Sequence, residues 1–494
     1  MHRLAIGLIA TLILPAGVVR SAEPEPEVPS PPGKITFSEE PDVLGEVKDT
    51  DESAPTPTEP TKEGDPDPGG ASVGDEGDIF SGDGGSSDCG VFDTVRDDPL
   101  AIGGQLYMRL GATIFDRGSF GEQTLSMPNL LDIYLDARPE ERVRGFFSGR
   151  LSYDPTITDG ATDPFGQSRE STRVVLDQLW IKTDIERRVY LTLGQERIKW
   201  GPSRLWNPND FVNARRRDPL TLFDERTGVP MLKVHIPVET FNFYVIGLVG
   251  DADRFDEPGA AFRFEGAFDS TEMALSGVAG KGRKTAFGFD ISTALGPVDF
   301  TAEVSLSDET DTLEYSGKLD VSTFEIPTAT KRDAWMARVS AGLQYAFKPN
   351  DDDVMYLGVE YFWNPLGVTD KDLYPWLLIN GELEPFYAGQ HYLGLVWLIP
   401  QPGTWQDTTF TFSALGNLSD TSFITRLDMS QTVHTRLRLE TYVQGHFGTR
   451  GGEFRFALDV PDLPPIPDLL PDGLEAFSVP ASAVLFGLNL RLSI

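Results

Sequence analysis

From Ala101 to Ile494 the chain alternates apolar and polar residues in segment after segment, and no apolar run approaches the length of a membrane helix. A period of two belongs to the β-strand, whose successive side chains point to opposite faces. The last segment shows it most cleanly: Val484, Phe486, Leu488, Leu490, Leu492 and Ile494 fall on one face, Asn489, Arg491 and Ser493 on the other. Val298, Phe300, Ala302, Val304 and Leu306 oppose Asp299, Thr301, Glu303 and Ser305 in the same way. An all-β fold follows. Alternation alone leaves two arrangements open, a soluble sandwich with its polar face in water and a membrane barrel with its apolar face in lipid.

Connection lengths separate the two, because bacterial outer-membrane barrels join their strands by short turns at one rim and long loops at the other. Strands are predicted near 102–115, 130–138, 143–153, 173–184, 189–197, 229–236, 241–250, 261–268, 272–279, 285–295, 298–306, 334–347, 354–364, 390–399, 408–416, 422–431, 436–448 and 483–494, an even count of eighteen, with sixteen as the alternative. Connections after even strands are short, as at 139–142, 185–188, 237–240, 296–297 and 432–435. Those after odd strands are mostly long, notably 154–172, 198–228, 307–333, 365–389 and 449–482. Both chain ends then lie at the short-turn rim, the periplasmic one. Trp335 and Trp363 fall near the long-loop rim and Trp180, Trp397 and Trp405 near the other, as expected of aromatic belts where lipid meets water. The predicted fold is a transmembrane antiparallel up-and-down β-barrel behind a disordered acidic N-terminal segment.

Charge divides the chain into three zones. The 494 residues carry 42 Lys+Arg against 76 Asp+Glu, a formal charge of −34. Such acidity excludes a nucleic-acid-binding protein, which needs a basic face, and a single Cys excludes a disulfide scaffold. Residues 1–22 hold two Arg and no acid around the apolar run from Leu4 to Val19, the pattern of a signal peptide. Residues 23–90 hold 19 acids and 3 Lys among repeated Pro and Gly, too little apolar surface to bury, and are expected to be a disordered periplasmic segment. Residues 91–494 are assigned to the barrel.

An exported chain that ends in an alternating strand resembles a Gram-negative outer-membrane β-barrel, whose last strand is recognised by the barrel-insertion machinery. Such families usually end in an aromatic residue, and Ile494 departs from that pattern. The run Gly194-Gln195-Glu196-Arg197-Ile198-Lys199-Trp200-Gly201, with Trp206-Asn207-Pro208-Asn209-Asp210 and Arg217-Asp218-Pro219-Leu220, is similar to a pattern in porin-like barrels of largely unassigned function. Tyr374-Pro375-Trp376-Leu377-Leu378 with Gly389-Gln390-His391-Tyr392 is a second match. The resemblance implies outer-membrane localisation, with membrane lipids and lipopolysaccharide as surroundings and the N-terminal segment in the periplasm.

A barrel of sixteen to eighteen strands is wide enough for an aqueous channel, so passive passage of small polar solutes is the expected function. The stretch from Arg197 to Arg226 gathers Arg197, Lys199, Arg204, Arg215, Arg216, Arg217 and Arg226 against Glu196, Asp210, Asp218, Asp224 and Glu225. If this loop folds into the mouth, its Arg and Lys would favour anions; pairing with acidic neighbours or rim phosphates is the competing reading. Arg109, Arg338, Arg436, Arg438 and Glu440 are expected to line the lumen, and Tyr374, Trp376 and Tyr387 to offer stacking surfaces or pack a loop onto the rim. Asn207-Pro208-Asn209-Asp210 and Arg217-Asp218-Pro219 are turn chemistry first. An alternative function is a structural or polysaccharide-export component of an envelope complex, its acidic arm binding a periplasmic protein partner. No catalytic residues, metal or cofactor are expected: the five His show no metal-ligand spacing or Gly-x-Ser-x-Gly context, and His446 is the best candidate base.

Overall fold

The computed structural model describes residues 99–116, 125–160, 170–213, 216–221, 225–249, 258–319, 325–350, 353–460 and 477–494. The signal peptide, the acidic segment with Cys89, and Arg215 lie outside them. Among the described residues eighteen long strands, with a two-residue stub at Leu125–Ser126 paired to the first, form one closed antiparallel sheet. The first six are β1 (Leu100–Phe115), β2 (Asn129–Glu140), β3 (Val143–Tyr153), β4 (Thr172–Ile185), β5 (Val189–Glu196) and β6 (Val229–Val238). Next come β7 (Phe241–Leu248), β8 (Gly259–Phe268), β9 (Thr271–Gly280), β10 (Arg283–Leu295), β11 (Val298–Asp308) and β12 (Trp335–Phe347). The wall ends with β13 (Met355–Trp363), β14 (His391–Pro400), β15 (Thr408–Asn417), β16 (Ser422–His434), β17 (Leu437–Gly448) and β18 (Ser482–Ser493). Each strand pairs with its sequence neighbours, and β18 closes the ring on β1, with Met108 opposite Leu490 and Ala112 opposite Phe486. A closed ring leaves no unpaired edge, the condition for a sheet to stand in lipid. The eighteen predicted strands are all found.

The connections after even strands are short, most of them tight turns, with 348–354 and 401–407 somewhat longer. The one between β4 and β5 places Glu186 and Arg187 both at positive φ, 53° and 55°, as a turn matched to the twist of a hairpin requires. Two connections on the other rim, 281–282 and 418–421, are also short; the rest of that rim carries the long loops. These hold structure that the alternation did not announce: hairpins pairing Leu313–Ser316 with Thr328–Lys331 and Leu458–Val460 with Phe477–Val479, and a short helix at Tyr374–Ile379.

The two faces of the sheet differ as lipid and lumen would demand. Outward residues on strands all around the ring are large, apolar and uncovered, among them Ile133, Leu193, Val245, Leu343, Leu427 and Phe486, with Leu193 63 % and Val245 58 % exposed. Among the described residues no second sheet packs on them. Leaving one such side chain in water forgoes about 1.5–3 kcal/mol, and a belt this continuous marks a membrane surface. Trp335, Trp363, Trp397 and Trp405 are among the exposed aromatic residues. Trp180 departs from the expected belt: its phase on β4 is that of Lys182, so it faces the lumen, buried and stacked on Phe146 at 5.4 Å.

Candidate functional site

The described residues of the connection between β5 and β6, 197–213, 216–221 and 225–228, lie inside the barrel. Its far end reaches strands that stand opposite its roots, since β14 is nine strands from β5 in a ring of eighteen. Leu205, Trp206 and Leu220 join a buried cluster with Phe362 on β13, Tyr392 and Val396 on β14, Leu415 on β15 and Ile424 on β16. The Trp206 ring lies 5.8 Å from Phe362 and 5.6 Å from Tyr392, and its Nε1 donates to the Phe386 carbonyl at 3.1 Å. Nearer the roots, Trp200 and Val212 pack with Val229, Met231, Ile246, Leu248, Ala261, Val278 and Ala286 on β6 to β10. The loop's apolar residues thus cover two stretches of the inner wall.

Two wall carboxyls pin the crossing. Glu360 on β13 accepts the backbone N–H groups of Arg204 (3.0 Å), Leu205 (3.1 Å) and Trp206 (2.7 Å) and the Ser340 hydroxyl (3.0 Å). Glu303 on β11 accepts from Ser203 N (2.8 Å), Asn209 N (3.2 Å) and Asn207 Nδ2 (3.1 Å). Both side chains are buried, where a carboxyl without donors would cost several kcal/mol; convergent backbone N–H groups supply what a cation otherwise would. Three of the donors come from the Asn207-Pro208-Asn209 turn and the residue Ser203 before it, so the turn chemistry shapes the anchor. The wall is also cut to receive the loop. Gly394 on β14 faces Leu205, which a Cβ there would overlap, and a Cβ on Gly288 would lie 2.5 Å from Asn209 Oδ1. Gly201, at φ +92°, sits against the Glu303 carboxyl with no room for a side chain.

Ion pairs tie the loop to the near wall. Arg197 binds Asp177 on β4 at 2.5 Å, Glu225 accepts from Arg109 on β1 at 2.7 Å, and Arg150 on β3 donates to the Glu225 carbonyl at 2.9 Å. Within the loop, Arg226 pairs with Asp210 at 2.7 Å. Of the basic residues singled out in the sequence, Arg197, Arg226 and Arg109 are therefore spent on acidic partners. Arg204 donates to Gln344 on β12 at 3.1 Å, and Lys199 is exposed. Arg217 lies beside Asp218, whose Oδ1 accepts from Leu220 N at 2.8 Å, as an Asp that caps its own turn does. Burial raises the Asp218 carboxyl above the usual range, against the pull of Arg426 and Arg217.

Arg216 and Arg338 come together. The Arg216 guanidinium lies 5.5 Å from the Tyr387 ring centre, and Arg338, on β12, stands within Coulombic reach of Arg216, Glu309, Glu384 and Tyr387. Among the described residues neither Arg forms an ion pair. Arg436 and Arg438 are exposed at the short-turn end of β17, apart from the loop. Glu440, also on β17, accepts from the Tyr107 hydroxyl at 2.8 Å and pairs with Arg491 at 2.9 Å. His446 has both ring nitrogens engaged, one by the Phe454 carbonyl at 2.5 Å and one by Gln444 at 3.0 Å.

At the long-loop rim a second buried network holds loops to each other. Asp420 accepts from the Tyr374 hydroxyl (2.8 Å), Asn417 Nδ2 (3.0 Å) and Glu453 N (2.7 Å). Glu453 accepts from the Tyr392 hydroxyl (2.7 Å), Asn417 Nδ2 (2.8 Å) and Phe386 N. Burial pushes the Glu453 carboxyl up to about 8 and the Tyr374 hydroxyl well above its ordinary value, the neighbouring carboxyls adding to the latter. Tyr387 is buried edge-on against Phe362 at 5.4 Å, and burial pushes its hydroxyl up to about 12. Tyr374 and Tyr387 thus turn their rings inward, while Trp376 is partly exposed and meets Tyr315 edge-on at 6.1 Å.

The alternation puts Glu303 on the polar face of its strand but does not mark it as an anchor, and it passes over the aromatic residues that share the luminal face. The phase was the available signal: Tyr134 stands between the luminal Asp132 and Asp136, and Phe146 between Arg144 and Arg150.

No family model and no curated protein matches the chain. Among solved structures it is similar to the outer-membrane protein OpdK of Pseudomonas aeruginosa crystallised with vanillate, at 8 % identity over 80 % of this chain and 98 % of that one, TM-score 0.46. OccAB3 of Acinetobacter baumannii is similar at 7 % identity over 80 % and 99 %, TM-score 0.47. A Rhodobacter blastica porin variant is similar at 10 % identity over 80 % and 100 %, TM-score 0.37.

Proposed function

We propose that the protein is an outer-membrane channel for passive passage of small polar solutes, with the 197–228 loop as its constriction. The observation that carries this reading is a loop that crosses the interior of an eighteen-stranded barrel and is pinned to distant strands of the wall by Glu303 and Glu360. A barrel of this size has room for water beside such a loop, and a loop held at so many points sets the bore. The exposed apolar belt supports the membrane. Arg216 and Arg338, close together on the loop and the wall, support a preference for anions. Purified protein in planar bilayers should show ohmic conductance and a reversal potential that favours the anion across a salt gradient. Arg216→Glu with Arg338→Glu should move that potential toward the cation. Absence of conductance overturns the channel; cation preference in the intact protein overturns the anion reading and leaves the channel standing.

A further inference from the structure

The luminal wall toward the short-turn rim carries an aromatic arc. On six consecutive strands the inward face shows Tyr134 (β2), Phe146 (β3), Trp180 (β4), Tyr190 (β5), His235 (β6) and Tyr244 (β7). They form two triads: Phe146 is opposite Trp180, with Tyr134 two positions along the neighbouring strand, and Tyr190 is opposite His235, which is opposite Tyr244; between the triads Trp180 is opposite Gly194, four residues from Tyr190. Tyr134 and Phe146 are near-parallel at 6.0 Å and 17°, Phe146 and Trp180 at 5.4 Å and 20°, His235 and Tyr244 at 4.4 Å and 10°. The Tyr134 ring lies over Gly103 of β1, occupying the space where a Cβ would stand. It therefore lies along the wall, and the residue remains 40 % exposed.

A water-filled lumen is ordinarily lined by polar side chains, and an apolar ring there forgoes the burial that would otherwise reward it. Charged groups are interleaved with the rings. The Arg144 guanidinium lies 5.5 Å from the Trp180 ring and donates to Asp136 at 2.9 Å, and Lys182 Nζ lies 5.8 Å from the Tyr190 ring. His235 Nε2 meets Asn242 Oδ1 at 2.9 Å. Ring faces beside carboxylate, guanidinium and amide groups suit a pyranose, whose C–H face packs on an aromatic ring while its equatorial hydroxyls take the hydrogen bonds.

We propose that this arc is a stacking track for pyranose sugars on the periplasmic half of the channel. The proposal rests on the channel reading for its role in passage, but binding to the arc does not need conductance. The test uses maltose as probe, with sorbitol as a ring-less polyol and benzoate as a planar acid. Full-length protein should conduct, and millimolar maltose should interrupt the current in resolved blocks that sorbitol does not cause. Tyr134→Ala with Phe146→Ala should shorten the blocks about tenfold, the worth of roughly two aromatic contacts. Tyr134→Phe, which keeps the ring, should leave them within about twofold. In parallel, maltose should change the tryptophan fluorescence of the protein in detergent micelles, and Trp180→Phe should remove that change. Conductance without maltose blocks, or equal blocks by sorbitol, or blocks by benzoate alone, overturns the track and spares the channel. Fluorescence binding without conductance upholds the track and overturns the channel. Unchanged migration of unboiled protein on gels verifies that each variant barrel is folded.

Discussion

The inserted loop is held by carboxyls that stand on strands, Glu303 on β11 and Glu360 on β13, whereas the rim loops are held by carboxyls of their own, Asp420 and Glu453. In the first case the acceptor is fixed by the ladder of the barrel and the loop supplies the donors, so the loop is either seated or gone. In the second, Glu453 sits in the 449–481 connection, Asp420 in the short 418–421 turn and Tyr374 in the 364–390 connection. Each carboxyl's place depends on the other loops as well as on Tyr392 and Asn417 at the rim ends of β14 and β15. The arrangement makes the constriction a fixed part of the wall and the rim an adjustable one, sensitive to the protonation of groups that no strand immobilises.

The largest effect expected is from Glu360→Ala. Three consecutive loop N–H groups would lose their acceptor, each costing about 1–3 kcal/mol if it stayed buried, so the loop should leave the wall. Single-channel recordings should then show higher conductance and added noise, and amide exchange at 204–206 should lose its protection. Unaltered traces and unaltered exchange would remove the distinction between the two anchors.

Next is the response of the rim to pH. Burial lifts the Glu453 carboxyl to about 8 from its ordinary 4.5. A group whose folded value is raised lends its full stability below the unfolded value and loses it as pH rises through the folded one. The rim should therefore be tight near pH 5 and loosen between about 5 and 8, by up to tenfold in local opening per pH unit, with no further change well above 8. Proteolysis after Lys371 and Arg455, or exchange at 453–455, reads this. Glu453→Gln should flatten the profile, while exchange at 204–206 should follow no such curve.

Gly394→Val sharpens the comparison from the apolar side. It leaves both wall carboxyls in place and fills the seat of Leu205 and Trp206. Overpacking of this kind costs about 1–3 kcal/mol, so exchange at 204–206 should rise less than in Glu360→Ala, with the rim unaffected.

Much of the barrel was legible because its information is local. Each strand declares its own faces, so Val304 and Leu306 go outward and Glu303 inward without knowledge of the neighbours. The site is another matter. Glu360 meets Trp206 across a sequence separation of 154 residues, and no local pattern states that an inward carboxyl will be buried under backbone amides rather than bathed in water. The basic loop read as seven charges, yet Arg197 is consumed by Asp177 on the wall and Arg226 by Asp210 within the loop, while the loop's Glu225 takes Arg109 of β1, pairings that only the folded loop brings about. Trp180 was counted toward a lipid belt by its height along the strand, although its phase, shared with Lys182, already put it inside. Tyr374 and Tyr387 read either as stacking surfaces for a solute or as residues that pack a loop onto the rim, and both are buried.

The smallest effect expected is from Tyr374→Phe, and it tests whether the rim network is shared or dominated by one contact. The ring stays, so its packing with Leu377, Leu378 and Phe456 is kept. Only the hydroxyl is lost, which donates to Asp420 and accepts from Asn417 Nδ2 at 3.1 Å. Asp420 Oδ2 still accepts from Asn417 Nδ2 and Glu453 N, and removing one of several donors to a satisfied acceptor costs about 1 kcal/mol, roughly fivefold in local opening. Exchange at 453–455 should quicken by that factor at pH 6, where Glu453 holds its proton, and by less at pH 9, where its ionisation has already loosened the network. An equal change at both values would mean that Tyr374 and Glu453 act independently, and the rim would then be a set of separate contacts rather than one cooperative latch.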